Sequence, residues 1–215
     1  MIRSLCLLLS LASTWPLMAG DISQIKHIVI IVKQNRSFDH YFGTFPGANG
    51  VTTATLSTGQ VINLLHASDR LQSTLCNDLS CDSASVDGGK MDRFDIIDGG
   101  NISGEYQGLT QMQAADIPNY WSYAQNFVLA DNMFASQLGA GFTNQLIYVA
   151  GDAGGVVDNP TNPLNLKRPT WGCDADPRET VKVADSRGVI STAFPCFSFQ
   201  TMADLLQNAG LTWKI

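Results

Sequence analysis

The distribution of apolar residues predicts several short buried strands separated by helices. Continuous apolar runs occupy residues 28–32 and 127–130, and residues 211–215 begin a further predicted strand. Such runs are typical of strands covered on both faces, as in a parallel sheet. The first run stops at two carboxamides, Gln34 and Asn35. Because ligands of open α/β sheets bind beyond the carboxyl ends of strands, these two side chains are candidates for chemistry.

Three helices are predicted between and after these runs. Asp116 as cap and Pro118 in the first turn predict the start of one helix, and residues 144–150 predict a second. Thr201 predicts the cap of a third helix, which Gly210 ends. The apolar positions of this third helix are expected to face inward: Met202, Leu205 and Leu206. Strands alternating with helices predict an α/β sandwich, and residues 152–170, rich in Gly, Asn and Pro, predict a surface loop.

Composition and charge narrow the class of protein. With 45% hydrophobic and 15% charged residues, the chain of 215 residues has the composition of a globular domain. The formal net charge is −6 and no basic stripe is visible, which argues against a nucleic-acid partner.

The amino terminus has the pattern of a secretory signal peptide. Residues 1–19 contain one cation, Arg3, and an apolar run too short to span a bilayer, with cleavage expected after Ala19. An uncleaved anchor is the alternative, which the break at Pro16 disfavours. No other segment is apolar enough to cross a membrane. The sequence thus predicts a secreted or periplasmic protein that is not integral to the membrane.

Four cysteines remain after cleavage: Cys76, Cys81, Cys173 and Cys196. An even number in an exported chain favours disulfides, although four cysteines allow three pairings. We expect the local pairing of Cys76 with Cys81 and of Cys173 with Cys196. A structural zinc site is the alternative, but the spacing matches no zinc pattern.

Several ordered blocks resemble the bacterial phosphoesterase family that includes non-haemolytic-type phospholipases C and acid phosphatases. The opening block, KHIVIIVKQNRSFDHYFGTFPG, is similar to the family's Glu-Asn-Arg-Ser-Phe-Asp-His-Tyr-Phe-Gly motif, with Gln34 in place of the Glu. Further similar blocks follow at residues 86–94, 116–136, 171–175, 194–206 and 209–214. Their common order and spacing make the resemblance specific, and it covers nearly all of residues 20–215.

The resemblance implies an alkaline-phosphatase-like three-layer sandwich with a mainly parallel sheet. In that fold a divalent metal ion and a Ser or Thr nucleophile share one phosphate site. The resemblance makes residues 20–215 the amino-terminal part of a phosphoesterase domain that is incomplete at its carboxyl end. The family's second pair of metal ligands and its later histidines are expected beyond residue 215, so the sequence looks truncated.

Carried over position by position, the resemblance places metal ligands at Gln34 and Asn35. Gln34 keeps an oxygen donor but lacks the negative charge that hard cations favour, so weak metal binding is expected. The family's nucleophile falls on Gly141, which has no hydroxyl. Thr143 lies two residues further on and is a substitute only if the loop shifts its register. Asn144 matches the motif and is a candidate for substrate binding.

Two further positions bear on the site. Lys90 belongs to a family-like block and is a candidate for substrate contact, although an ion pair that holds the loop explains it equally well. The phosphate-contacting histidine that the family carries before this block has no counterpart in residues 78–83.

These observations predict a hydrolase of phosphoric esters, acting on phosphomonoesters or phospholipid head groups, that is catalytically impaired. The alternative is a non-catalytic, degenerate or truncated family member with at most weak binding of anions or lipids. A third hypothesis is a secreted binding module with disulfides that is unrelated to phosphoesterases. It is disfavoured, because the order of the similar blocks would then be a coincidence.

Overall fold

The structure, a computed structural model, describes residues 22–70, 72–161 and 171–215. The chain divides into two units, residues 1–35 and residues 36–215. The predicted signal peptide, residues 1–19, lies outside the described residues, and so do residues 162–170 of the predicted surface loop.

The described part of the first unit has one 3-10 turn, Ile22–Gln24, followed by irregular backbone. The predicted strand at residues 28–32 is therefore wrong, and its first four side chains are 79 to 84% exposed. A strand needs a neighbour to satisfy its backbone N–H and C=O groups. The described residues of this unit contain no second strand that could supply one.

Short helices and strands succeed one another along the second unit. The helices are α1 (Phe38–Phe42), α2 (Leu79–Val86), α3 (Pro118–Asn126), α4 (Gly141–Ala150) and α5 (Met202–Asn208). The strands are β1 (Thr53–Thr55), β2 (Val61–Asn63), β3 (Leu65–His66), β4 (Asn101–Ile102), β5 (Glu105–Tyr106), β6 (Thr110–Gln111), β7 (Val181–Ala184) and β8 (Ile190–Ala193).

The strands form four two-stranded sheets. Three pairs are antiparallel, β1 with β2, β4 with β5 and β7 with β8, whereas β3 and β6 are parallel. The mixed α/β class is confirmed, but the described strands do not form the predicted mainly parallel sheet. Residues 127–130 and 211–215 are irregular, and Val128 is 94% exposed, so these two predicted strands are also wrong.

The helix predictions succeed where local signals dominate. α3 begins at Pro118, and its cap residue is Ile117 and not the predicted Asp116, whose carboxylate accepts from the Gln113 N–H. α5 has a full capping box between Thr201 and Asp204. Its residues Met202 and Leu205 are exposed, contrary to the expected inward face.

Two groups of side chains hold the second unit together. The larger apolar cluster joins α4 to β7 through Phe142, Ala153, Val156 and Val181. The second group is aromatic and joins α1 to α3: the Tyr41 and Tyr120 rings are 5.4 Å apart, and Trp121 Nε1 donates to the Tyr41 carbonyl oxygen at 3.1 Å. Phe142 of the apolar cluster belongs to the first turn of α4. The family resemblance assigns the nucleophile position to this same turn.

Candidate active site

The amino end of α4 is built without a capping side chain of its own. Ala140 occupies the cap position and has no side-chain oxygen to accept from the first N–H groups. Gly141 is the first helical residue, and a Cβ placed on it would meet only Gln145 Nε2, at 3.9 Å. The position that the resemblance assigns to the family's hydroxyl is therefore open, and a small side chain fits there.

A distant residue caps this helix instead. Asn159 Oδ1 accepts a hydrogen bond from the Phe142 backbone N–H at 3.1 Å. The same side chain donates through Nδ2 to the Asn77 carbonyl oxygen at 3.4 Å. Asn159 thus connects the first turn of α4 to the segment that precedes α2.

The amino end of α2 lies beside the same loop. Asp78 caps α2 by accepting from the Cys81 N–H at 2.9 Å, and buried Asp158 accepts from the Leu79 N–H at 3.2 Å. Lys182 Nζ, on β7, donates to Asp158 at 3.1 Å. Asp158 and Asn159 therefore bring the amino ends of α2 and α4 together. Each of these helix ends has a partial positive charge, because its first N–H groups have no partner within the helix.

An open cleft of about 760 Å³ lies against this junction. Its charged lining consists of the carboxylates of Asp78, Asp98 and Asp158 and the ammonium of Lys182. Desolvation raises the pKa of nearby Asp82, and the negative charges of Asp78 and Asp158 raise it further. The cleft is thus acidic, which opposes binding of a phosphate dianion in the absence of added positive charge.

The cap at Asp78 makes a testable contribution to stability. The Ser80 hydroxyl and the Cys81 N–H hold the pKa of Asp78 below its ordinary value of 3.8. Because the folded-state pKa is the lower one, the stabilisation is complete above the unfolded-state pKa and is lost as the pH falls through the folded-state pKa. We expect Asp78→Ala to cost about 1 kcal/mol at neutral pH. In urea titrations this difference should shrink as the pH falls below the ordinary aspartate pKa of 3.8 and on through the lower folded-state pKa.

Asp78→Asn is the matched control, because an amide oxygen caps the helix without titrating. This variant should keep most of the stability at neutral pH and lack the acid-dependent loss. An equal loss of stability in both variants at every pH would contradict a role for the charge.

The structure places the remaining predicted residues of the nucleophile loop in the first turn of α4. Thr143 is completely buried, and its hydroxyl has no hydrogen-bond partner among the described residues. Asn144 accepts from the Gln137 N–H at 3.3 Å and donates to the Gln137 carbonyl oxygen at 3.1 Å. Asn144 therefore holds the loop before α4, and its role in substrate binding stays a prediction.

Lys90 lies past the carboxyl end of α2, whereas the cleft is at the amino end of that helix. Its ammonium forms an ion pair with Asp87 at 2.8 Å and is largely exposed. The structure thus contains the ion pair that was the alternative explanation for this lysine.

Gln34 and Asn35 belong to the first unit, and Asn35 has the left-handed backbone conformation, with φ of 59°. Both side chains offer neutral amide oxygens. A pair of uncharged donors does not fit a divalent cation, which favours carboxylates. A second group, Cys76 Sγ, Asp78 and Cys81 Sγ, has its atoms within 4.8 Å of one another. Its sulfurs are joined in a disulfide, so no thiolate is available to a metal.

Both predicted disulfides are confirmed. Cys76 is bonded to Cys81, and Cys173 is bonded to Cys196, 23 residues further on. The first bridge lies at the start of α2, and Cys76 lines the cleft.

Sequence reasoning missed the residues that organise the cleft: Asp158, Asn159 and Lys182. The only local signal was the Asp-Asn-Pro sequence at residues 158–160, which is typical of a turn. It also missed the ion pair between His66 Nε2 and Asp116, at 2.8 Å. Among the helices of the described ranges, none has the length and apolar character needed to span a bilayer.

Comparison with known proteins supports the resemblance. A family model described as "Phosphoesterase family" matches residues 25–215. The chain is 25% identical over 223 residues to phospholipase C A of Mycobacterium tuberculosis, an alignment that covers 91% of this chain and 38% of that protein. It is 27% identical over 214 residues to a non-hemolytic phospholipase C of Pseudomonas aeruginosa, with coverage of 91% and 27%. The chain therefore spans less than half the length of these relatives.

Proposed function

Because the chain belongs to the Phosphoesterase family, we propose that it has the framework of a hydrolase of phosphoric ester bonds in a catalytically impaired form. The observation that carries the proposal is the glycine at the first position of α4, where the family's motif has a hydroxyl. The relatives named phospholipase C support phospholipid head groups or other phosphate esters as the substrate class. The family match also supports an alkaline-phosphatase-like sandwich, of which residues 20–215 form the amino-terminal part.

The chemistry at α4 explains the proposed impairment. The N–H groups at the amino end of a helix are suited to hold a phosphoryl oxygen. Attack on phosphorus then requires a nucleophilic oxygen beside those N–H groups, and Gly141 supplies none. Thr143 carries the nearest hydroxyl in the helix, but it is completely buried and does not reach a substrate without rearrangement of the first turn.

The resemblance also implies a divalent metal ion, which would supply positive charge to a bound phosphate group. The proposed ligands Gln34 and Asn35 do not provide the negative charge that such an ion requires. We therefore assign no metal-dependent step to this chain. Weak binding of an anion or a lipid head group, without turnover, is the activity that remains.

We also propose that the protein is secreted or periplasmic. The signal-peptide pattern of residues 1–19 supports this location. The two disulfides support it independently, because disulfides persist in oxidising compartments.

The test is hydrolysis of p-nitrophenyl phosphate and p-nitrophenyl phosphorylcholine by the purified chain, with magnesium, calcium, manganese or zinc added in turn. We expect the release of p-nitrophenol to equal that of a metal-only blank. Thr143→Ala should behave identically, because its hydroxyl is not placed to attack. Turnover by the unmodified chain that disappears in Thr143→Ala would show that Thr143 is the nucleophile and that the chain is active.

A further inference from the structure

Exposed apolar side chains are concentrated on one segment of the second unit, from the last turns of α3 to residue 134. We call these side chains the 123–134 surface, and they are 62 to 94% exposed: Tyr123, Phe127, Val128, Met133 and Phe134. Because an aromatic side chain carries roughly 200 Å² of surface, the five together expose on the order of 700 Å². An exposed apolar area of this size is typical of an interaction site.

The segment is attached to the rest of the second unit on both sides of residues 127–130. On the amino-terminal side, Trp121 is buried and donates through Nε1 to the Tyr41 carbonyl oxygen at 3.1 Å. On the carboxyl-terminal side, Asp131 accepts from the Asn49 N–H at 2.8 Å. Residues 127–130 are therefore held between two fixed points, so a partner that binds them has few additional residues to order.

The backbone of residues 127–130 favours a polypeptide as the partner. Phe127 and Val128 have high strand propensity, but no strand of the described residues pairs with this segment. Another chain can satisfy the N–H and C=O groups of such a segment by adding a strand beside it. A lipid surface fits less well, because hydrocarbon satisfies no backbone group. Membrane-surface segments are also rich in Lys and Arg, and residues 117–151 contain neither.

We propose that two copies of this chain associate through the 123–134 surface, with residues 127–130 of each copy paired antiparallel across a two-fold axis. The same surface then lies on both sides of the interface, as in other two-fold dimers. A contribution of about 700 Å² from each copy is close to the roughly 800 Å² per partner of a standard stable interface.

The charge pattern of the segment fits a second copy. Asp131 is the one charged side chain in residues 117–151, and it is hydrogen-bonded to the Asn49 N–H. Two identical surfaces can therefore meet without placing like charges opposite each other along residues 127–130. Aromatic and Met side chains, which make up most of the 123–134 surface, are enriched at the cores of protein interfaces. This inference does not depend on the proposed function.

The test is sedimentation equilibrium of the purified chain over a range of micromolar concentrations. We expect the mass to approach that of two chains as the concentration rises. Val128→Lys should raise the dissociation constant at least about ten-fold, because it places two cations at the paired strands. Val61→Lys is the matched control, since Val61 is 64% exposed on β2, and it should leave the dissociation constant unchanged.

Two proline variants distinguish strand pairing from general apolar contact. Val128→Pro and Leu129→Pro each remove one backbone N–H. Only alternate residues of a strand bond to a given neighbour, so one of the two variants should weaken the dimer much more than the other. Circular dichroism of each variant should match that of the unmodified chain at a concentration where it is monomeric, because the Val128 side chain is 94% exposed.

A chain that stays monomeric at every concentration, or a dimer that Val128→Lys leaves intact, would overturn the proposal. Equal effects of the two proline variants would overturn the strand pairing. Flotation with phosphatidylcholine vesicles tests the other partner. Binding of the monomer to these vesicles that Val128→Lys removes would assign the surface to lipid and contradict the dimer.

Discussion

We expect Gly141→Ser to give this chain slow phosphoesterase activity. The substitution places a hydroxyl on the first residue of α4, where the family's motif has its nucleophile. The space is available, because a Cβ at residue 141 meets its nearest neighbour, Gln145 Nε2, only at 3.9 Å. We expect hydrolysis of p-nitrophenyl phosphate to rise about a hundred-fold above the background, since covalent catalysis divides one difficult displacement into two.

Gly141→Ala is the control for this experiment. It fills the same space and changes the helix propensity in the same direction, but it has no oxygen. Mass spectrometry of the acid-quenched reaction should detect phosphoserine at residue 141 in the serine variant and no phosphorylation in the alanine variant. Equal rates in the two variants, or activity without phosphoserine, would rule out residue 141 as the nucleophile position.

Gln34→Glu addresses the metal in a separate experiment. The carboxylate restores the negative charge that a divalent cation favours, so this variant should bind added manganese or calcium more tightly than the unmodified chain in calorimetry. Equal metal binding by the two proteins would argue against Gln34 as a ligand.

Removal of the Cys173–Cys196 disulfide should cause a large loss of stability. This bridge joins two segments that both contact the apolar cluster between α4 and β7. Trp171 packs on Phe142 with ring centroids 5.9 Å apart, and Phe197 packs against the cluster itself. A bridge with a sequence separation of 23 lowers the conformational entropy of the unfolded chain, which raises the free energy of unfolding by about 3 kcal/mol. For a chain of this size, that corresponds to a fall in melting temperature of roughly 10 °C.

The measurement compares urea and thermal unfolding of Cys173→Ser/Cys196→Ser with the unmodified protein. Cys76→Ser/Cys81→Ser is the matched control, since its sequence separation of 5 gives an expected loss of about 2 kcal/mol. A larger loss from the shorter bridge would show that native packing around Cys76, and not chain entropy, determines the contribution of these disulfides.

Local signals in the sequence predicted the helices better than the strands. The signals that start and end a helix affect the conformation of neighbouring residues only. The helices therefore begin and end close to the residues predicted from Pro118, from the Thr201 cap and from the glycine after α5. The apolar run at residues 28–32 was a weaker basis for prediction. A strand depends on hydrogen bonds to residues far along the chain, which hydrophobicity alone does not identify.

The sequence by itself determined the family and the glycine at residue 141, because both depend on residue identity. It left three cysteine pairings open and favoured the one that the structure confirms. Only the tertiary structure decided which segments meet at the candidate site. The contacts of Asp158 with Leu79 and of Asn159 with Phe142 link residues 79 and 17 positions apart. Such contacts join residues that are distant along the chain, and no local pattern in the chain encodes them.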